Sequence, residues 1–307
     1  MLDARQLEAL AAVVEQGSFG AAAKALSITL AAVSLRIKSL ESVLGQRLLV
    51  RGKQVRATPA GQALLVHAKQ VKLMEADLLD GLQGSGLDKA PRMQTLSVAV
   101  NADSLTSWFL PGVAGLLARH RLLIDIVVDD QDHTHDALKS GEVMGCVTTL
   151  AQALRGCVAE PLGTMRYRCV AAPVLLAQWS EPGVNQAVAG VSAHRLLGTP
   201  AIIFNRKDAL QDQFLAQHVG LRDALYPRHF VPAVDAFELA LELGMGWGMV
   251  PDLLLATRAN RPALVEIWPD RPVDIALYWQ HWAREPLSAQ RLTQAVRQAA
   301  LAHLLQL

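Results

Sequence analysis

Apolar side chains recur at helical spacing from the start of the chain. Leu7, Leu10, Val13 and Val14 define one helix face, and Gly17 closes that helix. Ser18 stands where an N-cap belongs and opens a short alanine-rich helix to Leu26, whose small side chains suit a close helix crossing. Thr29 is a second N-cap, its hydroxyl placed to accept a backbone N–H of the next helix, TLAAVSLRIKSLESVLG. On that helix Val33, Ile37, Leu40 and Leu44 stack for burial. Leu30, Ala31, Ser34, Leu35 and Lys38 face the other way, with Arg36 toward the side. Two short helices with a tight turn and a buried stripe on the second predict a helix-turn-helix, whose second helix enters the major groove of DNA.

The pattern then changes period. Leu48 to Val50 and Val55 read as two short strands around Arg51-Gly52-Lys53, a wing with cations at its tip that suits phosphate contact. Thr58-Pro59 is a helix start, N-cap followed by proline at the first helical position. From there Leu64, Ala68, Val71, Glu75, Leu78 and Leu82 keep a 4-3-4-3-4 spacing. That narrow seam predicts a dimer contact through Leu64, Ala68, Val71, Leu78 and Leu82, with an intrachain packing face as the alternative. Gly81 to Arg92 reads as a flexible hinge.

Beyond the hinge, strand-like runs alternate with helices: Leu96 to Val100, Leu110 to Ala118, Leu122 to Val128, Asp136 to Ser140 and Val143 to Thr149. A second set runs from Arg166 to Trp268, through Ala201 to Phe204, Phe237 to Leu243 and Met249-Val250. The last segment, Val273 to Trp282 then Ser288 to Leu304, is a strand and a helix. The alternation predicts an α/β fold with crossover helices.

Charge sharpens the picture. The net charge of +1 hides a window from residue 24 to 56 with seven bases (Lys24, Arg36, Lys38, Arg47, Arg51, Lys53 and Arg56) against Glu41 alone. That window carries +6 and leaves −5 for the rest, the footprint of a DNA-binding segment on a mildly acidic protein. With Ser18, Thr29, Leu30, Ala31, Ser34 and Leu35, the bases Arg36, Lys38, Arg51, Lys53 and Arg56 make up the candidate DNA-binding set. The opening MLDARQLEAL is not a secretory signal, and no uncharged apolar stretch approaches the ~20 residues that span a bilayer, so a cytoplasmic protein is expected. Cys146, Cys157 and Cys169 match no metal or redox spacing and read as reduced thiols.

Residues 1 to about 90, through FGAAAKALSIT, AAVSLRIKSLE, LGQRLLVR and the TPAGQ junction, resemble the DNA-binding domain of LysR-type transcription regulators. NADSLTSWFLP, DDQDHTHDALKSGEVMGCVTT and VDAFELALELGMGWGMVP resemble the arginine/lysine-export regulator subgroup, also described as inhibitors of chromosome replication initiation. Family members often carry polar residues such as Gln where this chain has Leu30, Ala31 and Leu35. Readout is therefore expected to rest on Ser34, Arg36, Lys38, methyl contacts and DNA shape.

The resemblance implies a winged helix-turn-helix over residues 1–58, a dimerising linker helix and hinge over 59–92, and a two-lobed periplasmic-binding-protein-like effector domain over 93–307. Lobe I would comprise 93–165 and 270–307, and lobe II 166–269. A cleft between lobes is lined by strand ends and helix starts. Candidates there are Asn101, Asp103, Ser104, Asp129, Asp130, Thr148 and Thr149 from the first lobe, and Asn205, Asp235 and Glu238 from the second. The surplus of carboxylates suits a ligand cationic overall, and arginine or lysine fits both this and the subgroup.

Gly244 to Gly248 follows a helix and precedes a strand, the reverse of a dinucleotide loop, and reads as a turn. Asp132-His133-Thr134-His135-Asp136 lacks a third nearby ligand and reads as a loop entering a helix, so no metal is expected. No catalytic motif appears, and neither an enzyme nor a cofactor is expected. The reading is a DNA-binding transcription regulator answering to a small molecule, with duplex DNA, RNA polymerase and a second copy, as homodimer or homotetramer, as partners. Alternatives are a regulator with a different effector, an architectural DNA-binding protein without a ligand response, or a solute-binding or enzymatic domain whose N-terminal helices serve assembly.

Overall fold

The computed structural model describes residues 2–50, 52, 54–82, 93–128, 131–179, 191–257 and 262–306, apart from the side chains at 80 and 131–134. The chain opens with α1 (Ala4–Glu15), α2 (Phe19–Ala25) and α3 (Leu30–Leu44). Each starts at a side-chain cap: Asp3 accepts from the Arg5 N–H, Ser18 from Ala21 and Thr29 from Ala32. The axes of α2 and α3 turn by 108°, within the range of a helix-turn-helix. Ala22 and Ala23 are buried, and Leu10, Val13, Val33, Ile37 and Leu40 close a core with Leu48, Leu49 and Leu65.

The wing is β1 (Leu49–Val50) paired antiparallel with β2 (Arg56–Ala57). Its second strand begins one residue later than expected, because the Val55 N–H donates to the Gly17 carbonyl at 2.9 Å and ties the wing to the turn after α1. The expected tip cations Arg51 and Lys53 lie outside the described residues.

The linker helix α4 (Pro59–Leu82) starts where Thr58 Oγ1 accepts from the Gly61 N–H at 3.1 Å and donates to the Arg47 carbonyl at 2.9 Å. A Cβ on Gly61 would sit 2.2 Å from the Leu48 carbonyl oxygen, so only glycine lets α4 begin against the wing. The expected seam meets different surroundings along its length. Leu64 and Ala68 pack on the helix-turn-helix core of their own chain, and Val66 and Leu73 pack on the C-terminal core. Val71 is half-buried, while Leu78 and Leu82 stand 62% and 73% exposed beside Met74 and Leu79. The helix is wedged between two units, so its first turns are spent within the chain and only its last turns keep an uncovered apolar edge. Gly81 and Leu82 of the expected hinge are helical, and 83–92 lie outside the described residues.

Polar contacts fasten α4 to the C-terminal domain. Lys69 Nζ donates to the Glu142 carbonyl at 3.4 Å, and Gln70 Nε2 to the Arg284 carbonyl at 3.3 Å. Asp77 Oδ2 accepts from the Ser288 N–H at 3.1 Å and lies 3.3 Å from its Oγ. Burial lowers the Lys69 pKa, only partly offset by Glu15, Glu142 and Asp125.

The C-terminal domain begins with β3 (Gln94–Val100) and α5 (Ala102–Ser104), which runs through a π turn at Leu105–Phe109 into α6 (Leu110–His120). Then come β4 (Leu122–Val128), α7 (Gln131–Lys139), β5 (Gly145–Thr148) and the 15-residue β6 (Cys157–Ala171). The second lobe adds α8 (Pro173–Trp179), α9 (Ala193–Gly198), β7 (Ala201–Ile203), α10 (Leu210–Val219), β8 (Arg228–Phe230) and α11 (Val234–Glu242). It continues with β9 (Gly248–Pro251), α12 (Asp252–Ala256) and β10 (Val265–Glu266). The chain returns through β11 (Val273–Trp282) and α13 (Leu287–His303).

The main sheet has the order β10-β6-β11-β5-β3-β4, with β9 also on β6. β3 is parallel to β4 and β5, whereas β11 is antiparallel to β5 and β6. The long β6–β11 pair runs from Val273↔Tyr167 to Trp282↔Cys157, with a register shift between Leu277 and Tyr278. It connects the two lobes, and the expected lobe boundary at 165/166 falls inside β6. Trp108, Phe109 and Trp279 fill the first lobe; Phe214 and Trp247 fill the second. Gly244, at φ +71°, ends α11 before β9, as expected of a turn.

Candidate nucleic-acid interface and effector cleft

The outward face of α3 carries Leu30, Ala31, Leu35 and Lys38, all exposed, with Ser34 half-exposed. Leu30 and Leu35 show 54% and 66% of their surface. Arg36 is turned toward α1, where its Nη1 lies 3.5 Å from the Arg5 carbonyl. Lys24 and Arg56 stand exposed to either side of α3 in sequence, at the end of α2 and on the wing. Ser18 and Thr29 are exposed but act as caps, so their hydroxyls are committed to backbone N–H groups.

In the C-terminal domain, side chains from both lobes meet at a small cavity of about 30 Å³, lined in part by Asp103, Phe204, Asp208, Phe237 and Glu238. Asp103 enters on the helix after β3, Asp208 on the loop before α10, and Glu238 is buried on α11. Asp208 is fixed by the Phe204 and Leu210 N–H groups, at 3.1 and 3.0 Å. Tyr167, on β6, donates its hydroxyl to Asp103 Oδ2 at 2.9 Å. Beside Asp103, Ser104 Oγ and Asn101 Oδ1 are buried without a hydrogen-bond partner.

Desolvation pushes the Asp103 pKa up to about 6. The Tyr167 hydrogen bond opposes this, and the negative charges of Asp208 and Glu238 add to it. Burial, then the charge and hydrogen bond of Asp103 and the charge of Asp208, hold the Tyr167 phenol well above its usual range. The linkage has a definite sign. The folded state holds the Asp103 proton more tightly than the unfolded chain, so this group favours folding at acid pH and loses that contribution as pH rises through about 6. Relative to Asp103→Asn, the wild-type melting temperature should therefore fall between pH 5 and pH 7. Paired thermal melts in the same buffers check this, and parallel pH curves would refute it.

The structure sorts the expected effector set. Asp103 and Glu238 converge on the cavity, and Asn101 and Ser104 neighbour Asp103 in sequence. Thr148 is buried and accepts from the Leu150 N–H at 3.2 Å, while Thr149 is half-buried next to it. Asn205 Oδ1 accepts from the Lys207 and Asp208 N–H groups, and so shapes the loop that presents Asp208. Asp235 is exposed on the first turn of α11 and is not among the residues lining the cavity. Asp129 and Asp130 lie outside the described residues, as do the side chains of Asp132 and His133. Sequence reasoning missed Tyr167 and Asp208. A wider hollow of about 640 Å³ on the second lobe is lined in part by Val191, Ile267, Trp268 and Asp270. There Arg271 already stands over the Trp268 ring, 4.8 Å from its centroid.

A helix-turn-helix with a basic wing, joined by a long helix to two α/β lobes, is the arrangement that the family comparisons match. Residues 4–62 match the bacterial regulatory helix-turn-helix proteins of the lysR family, and residues 89–301 match the LysR substrate binding domain. The chain belongs to the LysR family of transcriptional regulators. LysG of Mycobacterium tuberculosis is 41% identical over 300 residues, 97% of this chain and 94% of that protein. The crystal structure of ArgP from M. tuberculosis superposes with a TM-score of 0.86 at 39% identity, covering 100% of this chain and 99% of that one. Full-length LysG from Corynebacterium glutamicum with bound effector Arg gives 0.78 at 31% identity, covering 99% of each. This LysR-family chain is thus a DNA-binding regulator with an effector-binding domain, similar to the LysG and ArgP regulators. Among its described residues no single helix is long and apolar enough to cross a membrane.

Proposed function

We propose that this LysR-family regulator binds a basic amino acid, arginine or lysine, in the cleft between its lobes and changes its hold on operator DNA in response. The observation that carries the reading is the convergence of Asp103, Asp208 and Glu238 on one small cavity. Three carboxylates at a desolvated site are costly together, and a cationic ligand head offsets that cost. Ser104 Oγ and Asn101 Oδ1 supply polar atoms for the amino-acid end. The relative from C. glutamicum has a solved structure with bound effector Arg, which supports the same class of ligand. At about 30 Å³ the cavity has room for one water, so ligand entry opens the lobes or swings Phe204 and Phe237 aside.

In this reading 1–58 binds DNA, 59–92 links and dimerises, and 93–307 senses, in the cytoplasm, as a homodimer or homotetramer. Control of an amino-acid exporter gene belongs to the same proposal. Leu78 and Leu82, with Met74 and Leu79, offer the uncovered edge for a second copy. The coupling required between cleft and DNA is modest, about 1–3 kcal/mol.

Thermal unfolding of the purified protein against each of the twenty amino acids tests the ligand. At a hundred times its dissociation constant a ligand stabilises the fold by about 2.7 kcal/mol, a shift of several degrees. A rise with arginine or lysine alone is expected; a rise only with acidic or apolar amino acids would overturn the assignment.

A further inference from the structure

We propose that Leu30 and Leu35 read thymine methyl groups in the major groove, so that each half-site is chosen partly by apolar contact. The inference rests on the DNA-binding reading and extends it to the base being read. At 3.6 residues per turn, Leu30, Ser34, Lys38, Ala31 and Leu35 span an arc of roughly 140° on the side of α3 away from Val33, Ile37 and Leu40. Of those five side chains only Ser34 and Lys38 carry hydrogen-bonding groups. Arg36, which sequence alone suggests as a reader, is turned to the Arg5 carbonyl instead.

Two exposed leucines on the groove-entering face of a DNA-binding helix meet one matching edge. Among the four bases, only thymine presents an apolar group in the major groove, its C5-methyl. Against guanine, adenine or cytosine the same leucine would strip water from donors and acceptors it cannot replace, so the choice has an attractive and a repulsive half. Leu30 and Leu35 are about 7.5 Å apart along the helix axis. With a rise of about 3.4 Å per base pair, the thymines they meet are about two steps apart.

The test begins with selection of binding sites from a randomised duplex pool by the full-length protein. Each enriched thymine is then replaced by deoxyuridine, which removes only the methyl. Loss of one buried methyl should weaken wild-type binding about fourfold at each position. A 5-methylcytosine·guanine pair should bind better than cytosine·guanine at the same place. Leu35→Ala and Leu30→Ala, both exposed and expected to melt like wild type, should each lose the thymine-over-uracil preference at one position. Leu35→Gln should shift the selected base there. Equal wild-type affinity for thymine and deoxyuridine, or an unchanged preference in both alanine variants, overturns the proposal. Failure to bind any duplex would count against the DNA-binding reading itself.

Discussion

Replacing Glu238 by glutamine is expected to weaken arginine or lysine binding by roughly 10- to 100-fold, with little loss of fold. A hydrogen bond to a charged group contributes about 1.5–3 kcal/mol, and each 1.4 kcal/mol is a factor of ten in affinity. Glu238 is buried on α11, lines the cavity and acts electrostatically on Asp103. Glutamine keeps its shape and removes its charge, so the unliganded protein should melt at or above the wild-type temperature as like-charge repulsion is relieved. Asp235→Asn, one turn earlier and exposed, is the control and should bind as wild type. Calorimetric titration with arginine separates the cases: unchanged affinity in Glu238→Gln would remove the carboxylate cluster from the binding account.

Trp279→Ala is expected to destabilise the C-terminal domain by about 3–5 kcal/mol, the range for truncating a buried aromatic. Trp279 is fully buried on β11, 6.4 Å from the rings of both Phe109 and His281, and its Nε1 donates to Thr293 Oγ1 at 2.9 Å. Gly145, paired with His281 on the neighbouring strand, has no room for a Cβ, which would lie 2.4 Å from the Trp279 indole, so the sheet closes over this ring with no slack. The cavity would open beneath α13, whose Ser288 holds Asp77 of the linker helix. Chemical denaturation followed by circular dichroism measures the loss; a change under 1 kcal/mol would mean that the lobe repacks around the gap.

Much of this was legible in the residues. The helix-turn-helix could be read because its information is local: caps at Ser18 and Thr29 and a stripe of period 3.6 that need no distant partner. The α/β lobes were legible as alternation for the same reason. Tyr167 and Asp208 were not. Which residues of β6 point into the cleft depends on its register against β11, which shifts at Leu277/Tyr278, and no local pattern carries that. Asp208 looks like one more loop acid until Asn205 is seen folding that loop so that it faces Asp103. The linker helix shows the same limit. Its stripe was plain, but periodicity says that a face is covered and not by what.

That linker helix also has a mechanical consequence. From Pro59, against the wing, to Asp77, fastened on Ser288, lie 18 residue steps, about 27 Å at 1.5 Å per residue. A rigid rod fastened at both ends is a lever arm. Tilting the effector domain's grip by about 10° would swing the DNA-binding end by roughly 5 Å, more than one base-pair step, with no bond in the helix-turn-helix itself disturbed.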